Sequence, residues 1–398
     1  MVPNGWNKQT VGDLCDFING NGFKSSEWSD KGLPIIRIQN LNGSNNFNYY
    51  EGAVLEKWIV NQGDILFAWA GSKGVSFGAK YWDGPKGLLN QHIFRVEPKA
   101  HVDRKWLFWV LLKVTQRVEN MAHGFKATLL HVQKADITEQ VILVPSLAEQ
   151  QRIAQILSTW DQAISATEKL LENSQQQKKA LMQQLLTGKK RLLDKNGERF
   201  SEKWKIFCLT DIAEMNSGGT PKSSVAEYYD GGIPWVSIAD MTNHGKWITR
   251  TERTLSSLGL ENSSARLYPK NTILYAMYAS IGECSIAKVE VTSSQAILGI
   301  RPKDCLHYEF LYFYLCSLKD RIKLQGQQGT QSNLNAGMVK DFKINLPNLK
   351  EQQAISNVLN ICDEEILVLQ KKLACLKQEK KALMQQLLTG KKRVKVAA

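Results

Sequence analysis

A fourteen-residue run, Lys178-Lys-Ala-Leu-Met-Gln-Gln-Leu-Leu-Thr-Gly-Lys-Lys-Arg191, recurs letter for letter from Lys380 to Arg393, 202 residues later (380 − 178). Composition does not produce a run of that length, so the chain carries an internal repeat. At the same separation, Pro145-Ser-Leu-Ala-Glu-Gln-Gln-Arg-Ile153 lines up with Pro347-Asn-Leu-Lys-Glu-Gln-Gln-Ala-Ile355. Each copy reads as one long helix. Ser146 with Glu149, and Asn348 with Glu351, have the spacing of a capping box. Gly188 and Gly390 supply the stop, with Lys and Arg just beyond, where cations complement the helix dipole.

Inside both spans the apolar spacing alternates between four and three. The first seam runs Ile153, Leu157, Trp160, Ile164, Thr167, Leu171, Ser174, Lys178, Leu181, Leu185. The second runs Ile355, Leu359, Cys362, Ile366, Leu369, Leu373, Leu376, Lys380, Leu383, Leu387. This heptad pattern predicts a coiled coil. Lys178 and Lys380 interrupt the seam at equivalent places. Two readings stand for them: lysines that snorkel past the edge of the helix pair, or polar residues that fix its register.

Residues 1–144 read as a mixed α/β domain. Gly63-Asp-Ile-Leu-Phe-Ala-Trp69 is a turn feeding a buried strand, and Gln91–Val96 is another strand closed by Glu97-Pro98. Trp106 to Val118 has helical periodicity. Residues 192–203 read as a polar linker. A second domain, to residue 346, then restates the first more loosely. Trp6, Asp13, Gly20 and Lys24 match Trp204, Asp211, Gly218 and Lys222 at 198. Pro34 and Ile38 match Pro234 and Ile238 at 200. Gln91, Ile93, Pro98 and Leu107 match Gln295, Ile297, Pro302 and Leu311 at 204. The fold expected is α+β: domains 1–144 and 192–346 alternating with long helices 145–191 and 347–393, a pseudo-twofold object. Parallel and antiparallel helix arrangements both satisfy that symmetry. The antiparallel one is preferred because it brings the chain ends together at a helix–domain junction.

A length of 398 residues calls for more than one core. No apolar run is long enough to span a membrane, and Met1-Val-Pro-Asn-Gly lacks a signal-peptide pattern. The seven cysteines never form Cys-x-x-Cys, which argues against a disulfide framework or a zinc site and fits a reducing cytosol. The net charge of +13 points to a polyanionic partner. Motifs for catalysis are missing: there is no Asn-Pro-Pro or Asp-Pro-Pro, no Gly-Lys followed by Ser or Thr, and no His-Glu-x-x-His. A binding module is favoured over an enzyme.

The paired Pro-x-Leu-x-Glu-Gln-Gln-x-Ile helix starts, the Leu-Met-Gln-Gln-Leu-Leu-Thr-Gly-Lys-Lys-Arg helix ends and the opening Asn216-Ser-Gly-Gly-Thr-Pro-Lys222 together resemble the specificity subunits of type I restriction–modification systems. The first domain carries Asn19-Gly-Asn-Gly-Phe-Lys24 in place of the Gly-Gly-Thr-Pro form. The resemblance implies two target-recognition domains, each reading half of a split DNA site. It implies an antiparallel helix pair that sets their distance and carries two methyltransferase subunits, with endonuclease–translocase subunits joining. It implies a non-catalytic subunit with no cofactor of its own; S-adenosylmethionine, ATP and magnesium serve the partners.

A DNA reader needs cations for phosphates, and amides, Arg or hydroxyls for base edges. On Gly-bearing loops of the first domain these are Lys24, Arg37, Gln39, Asn40, Ser72, Lys73, Lys126 and Thr128. In the second they are Thr220, Lys222, Ser237, Tyr278, Ser280, Thr330, Gln331 and Asn333. Lys73 and Lys126 read equally as solvated surface lysines, and Trp69 and Tyr278 as core or rim. The tract Lys178–Lys205 reads as dipole complementation rather than phosphate binding. Two alternatives carry different expectations: a coiled-coil scaffold with no DNA role, and a stand-alone DNA-acting enzyme.

Overall fold

The computed structural model describes residues 2–121, 129–278, 280–327 and 334–396, without the side chains of 320, 321 and 323–327. The chain divides into two units, residues 1–168 with 372–398 and residues 169–371. Both cuts fall inside the long helices, Leu147–Leu185 and Leu349–Leu387, each 39 residues. At ~1.5 Å per residue each helix is ~58 Å long. Among the described residues no helix is long and apolar enough to cross a membrane.

In the first unit an antiparallel sheet runs in the order Cys15–Asn19, Ile93–Pro98, Ile65–Ala68, Gly78–Tyr81. The strand expected to close at Glu97-Pro98 includes both residues. One face of the sheet carries the helix Arg104–Met121, whose Trp106, Leu107, Val110, Leu111 and Val114 are buried, as their spacing predicts. A second sheet runs Asn48–Tyr50, Leu33–Ile36, Gly87–Leu89, Ile59–Val60. Its Leu33–Ile36 and Gly87–Leu89 strands pair parallel, Ile35 opposite Leu88.

The second unit repeats this with matching register. Its main sheet runs Ala213–Ser217, Ile297–Pro302, Ile273–Ala276, Cys284–Ala287, with Trp247–Ile248 added at the edge. Trp235 opposes Thr292 in parallel, as Ile35 opposes Leu88. Asn7 opposes Val144, and Lys205 opposes Leu346. Every one of these pairs follows the sequence offsets, so the repeat extends to strand register. Within residues 192–203, residues 193–199 form a tight turn. Asp194 accepts from the N–H groups of Asn196 and Glu198, Gly197 adopts a positive φ of 81°, and Leu193 bridges to Arg199.

The helix starts show what the repeated Glu-Gln pair does. Ser146 Oγ and Asn348 Oδ1 cap their helices as expected, at 3.4 and 2.9 Å from the N–H groups of Glu149 and Glu351. The carboxylates, however, are turned elsewhere. Glu351 accepts from Arg191 Nε and Nη2 at 2.5 and 2.7 Å and from Trp204 Nε1 at 3.1 Å. Glu149 accepts from Arg393 Nε and Nη2 at 2.8 and 2.9 Å and from Trp6 Nε1 at 3.0 Å. Arg393 also donates to Asn4 O at 2.7 Å, tying the two chain ends together in the first unit. The next residue in each motif spans a second junction. Gln150 Oε1 accepts from the N–H of Asp103, and Gln352 Oε1 from that of His307, both at 2.8 Å, so each long helix start is tied to the start of its domain helix. The basic tract is therefore partly structural: Arg191 and Arg393 are clasps.

Seam residues Ile153, Leu157, Leu185, Ile355, Leu359 and Leu387 are buried in the domain cores. Ion pairs join the helix segments within each unit. In the first, Lys377 pairs with Glu168 at 2.7 Å and Lys380 pairs with Asp161. In the second, Lys178 pairs with Asp363 at 2.5 Å, and Ser174 donates to Glu365 at 3.3 Å.

Candidate nucleic-acid interface

Antiparallel strand order brings four segments of the first domain to one end of its main sheet. Cys15–Asn19 runs into the loop 20–24, Ile65–Ala68 into 69–76, and 89–92 leads into Ile93–Pro98. Leu129–His131 joins them by pairing with Ala70–Ser72. The loop 20–24 is seated on the turn 90–92: Asn21 N donates to Leu89 O at 2.9 Å and Asn21 bridges to Asn90. A Cβ on Gly20 would collide with the Asn90 carbonyl, so the close approach requires glycine there. Trp69 Nε1 donates to Gln91 O at 3.1 Å, and its ring lies 4.6 Å from His131 and 5.3 Å from His92. His92 Nδ1 is buried with no hydrogen-bond partner among the described residues.

The second domain builds the same end from different residues. Gly218 and Gly219 donate to Ile297 O and Ser293 O at 3.1 and 2.8 Å, and a Cβ on Gly218 would strike Ser293 O. Thr220 Oγ1 hydrogen-bonds Gln295 Oε1, placing Gln295 where Gln91 stands in the first domain. Met277 lies alongside, its N–H donating to Ala296 O at 2.9 Å.

The candidate residues separate into three sets. Lys24, Ser72 and Lys73 gather at this end in the first domain, and Thr220, Lys222, Tyr278 and Ser280 in the second; Lys24, Thr220, Lys222 and Tyr278 are exposed there. Lys126, Thr128, Thr330, Gln331 and Asn333 lie outside the described residues. In the remaining four, the polar groups also hold loops together. Asn40 is only 5% exposed, accepts from Arg37 N and donates to Ser44 O and Asn46 O. Arg37 donates to Asn48 Oδ1 at 2.8 Å and stacks over Trp28 at 5.1 Å. Gln39 donates to Asn46 O, and Ser237 caps the helix Ile238–His244 while donating to Asp240 Oδ2. Lys80 is a further brace, donating to Leu41 O and Val75 O at 3.1 Å each. Burial depresses its pKa below the usual lysine value.

Residues 3–174 and 201–378 match the family model described as the type I restriction modification DNA specificity domain. The chain belongs to that family. A type I restriction enzyme MjaIX specificity subunit from Methanocaldococcus jannaschii is 34% identical over 41% of this chain and 38% of its own length. A putative MjaX specificity subunit from the same organism is 26% identical over 99% of this chain and 95% of its own. A crystal structure of a type I system S subunit from M. genitalium aligns with TM-score 0.59 and 17% identity, covering 96% of both chains, a likeness of fold. As a member of the family this chain confers DNA sequence specificity.

Proposed function

We propose that each polar sheet end reads one half of a split DNA site, and that the long helices form an antiparallel coiled coil holding the two readers apart. The observation that carries this is the double construction. Matching register places Gln91 and Gln295 alike, while Asn21-Gly22, Trp69 and His92 in one domain are replaced by Gly219-Thr220, Met277 and Ala296 in the other, with Tyr278 exposed beside them. One scaffold with two sets of base-reading groups suits two different half-sites. Antiparallel helices are supported within each unit, since partners fall in number along one helix as they rise along the other: 377 with 168 and 380 with 161 in the first, 174 with 365 and 178 with 363 in the second.

Two methyltransferase subunits are the partners we assign to the helices, with endonuclease–translocase subunits completing the assembly. Support comes from side chains the fold does not constrain: Ala180, Gln183 and Gln184 are exposed, and so are their identical counterparts Ala382, Gln385 and Gln386. A surface kept the same at both ends suits one partner bound twice. We assign S-adenosylmethionine, ATP and magnesium to those partners, and no catalysis to this chain.

The test is binding of the chain, reconstituted with its methyltransferase, to duplex DNA carrying the target found by methylome sequencing. Neutralising ~6 phosphates gives about a thousandfold loss of affinity between 50 and 200 mM salt. A nearly flat salt dependence would leave a scaffold without a DNA role.

A further inference from the structure

The two lysines that break the heptad seams sit in matching three-part contacts. Lys380 pairs with Asp161 on the other long helix, and its ammonium lies 4.2 Å from the ring of Trp109 on the domain helix. Lys178 pairs with Asp363 at 2.5 Å and lies 5.5 Å from the ring of Phe313 on the second domain helix. The equivalence holds for every partner: Asp161 and Asp363 are 202 apart, and Trp109 and Phe313 are 204 apart. Neither lysine snorkels free. Their side chains are 19% and 22% exposed, and each touches both the opposite helix and the domain helix of its own unit. An apolar residue at that place would pack in several rotations with little preference. A cation that must meet a carboxylate and an aromatic face at once admits few.

We infer that Lys178 and Lys380 are positioning residues that fix the rotation of each reader on the helix pair, and so sharpen the gap between half-sites that the chain accepts. This rests on the two-reader function proposed above. The two locks are unequal. Trp109 offers the better cation-binding face and the shorter approach. Phe313 is shared, with the Lys246 ammonium 4.6 Å from the same ring. Lys380 is therefore the stronger lock.

The experiment uses the full chain assembled with its methyltransferase, and measures methylation of duplexes whose half-site gap varies one base pair at a time. Lys380→Met keeps seam volume but removes the cation. It is expected to lower the preference for the best gap over its neighbours at least tenfold, and Lys178→Met to do so less. Lys380→Arg restores the preference, because a guanidinium also pairs with a carboxylate and stacks on a ring. Should Lys380→Met fail to assemble, Asp161→Asn opens the same lock from the other side and is expected to broaden the gap in the same way. An unchanged profile, or equal loss at every gap with the preference intact, overturns the positioning role and leaves the two-reader function standing. A wild-type chain indifferent to the gap overturns both.

Discussion

Glu351 is the residue whose loss the second unit should feel most. Its side chain is 1% exposed and receives three N–H groups, two of them from Arg191, itself 19% exposed. Those hydrogen bonds hold the Arg191 pKa above its ordinary value. Removing one partner of a buried pair strands the other charge, at a cost of ~3–5 kcal/mol. Because Arg191 retains some water, Glu351→Gln is expected to cost about 3 kcal/mol in chemical unfolding, and Glu149→Gln less, since Arg393 is 42% exposed. Adding Arg191→Met to Glu351→Gln should recover part of the loss; strict additivity would mean that the two side chains do not act as a pair. The cap function of these motifs was legible from Ser146 and Asn348, because capping is local. The clasp was not, since Trp6 and Arg393 lie 143 and 244 residues from Glu149. The same limit separates Gln91, visible through its match to Gln295, from His92 and His131, which only the fold brings together. Asn40 and Ser237 each stand at one end of an i,i+3 cap, a signal as local as those of Ser146 and Asn348.

At the scale of elements, the long helices carry the clearest sequence signal, because period and caps agree over 39 residues. Short strands carry little. Trp247–Ile248 is two residues long, and the parallel pairings of Ile35 with Leu88 and Trp235 with Thr292 depend on chain crossings that no alternation reveals. Length is what makes the helices testable as a spacer. Inserting one heptad in each, after Lys169 and after Lys371, preserves seam phase and adds ~10.5 Å. At ~3.4 Å per base pair the preferred gap should lengthen by about three base pairs. Those base pairs also turn the duplex by nearly a third of a revolution, so affinity at the new gap should fall below that of the original chain. Methylation assays on duplexes of graded gap give the answer, and a preferred gap that stays in place would remove the spacer role.

Over the whole molecule, duplication has kept some things and released others, and the division is physical. Buried register, the clasped glutamates and the seam lysines with their acidic and aromatic partners recur at matching offsets. The loops at the polar sheet ends do not: Asn19-Gly-Asn-Gly-Phe-Lys24 stands against Ser217-Gly-Gly-Thr-Pro-Lys222. Each domain core draws on its own strands and on the ends of both long helices, Ile153, Leu157, Leu387 and Leu388 in one, Leu185, Leu186, Ile355 and Leu359 in the other. A replacement domain that keeps the inward-facing positions at this junction should therefore seat without disturbing the other core. Exchanging residues 1–144 for the corresponding domain of another family member, in a cell that also supplies the methyltransferase, is expected to yield a methylome with one new half-site. The second half-site and the gap should remain as they were, because neither the loops of the second domain nor the helices have changed. A methylome altered in both halves would mean that the domains read DNA jointly, and the division of labour argued from the repeat would not hold.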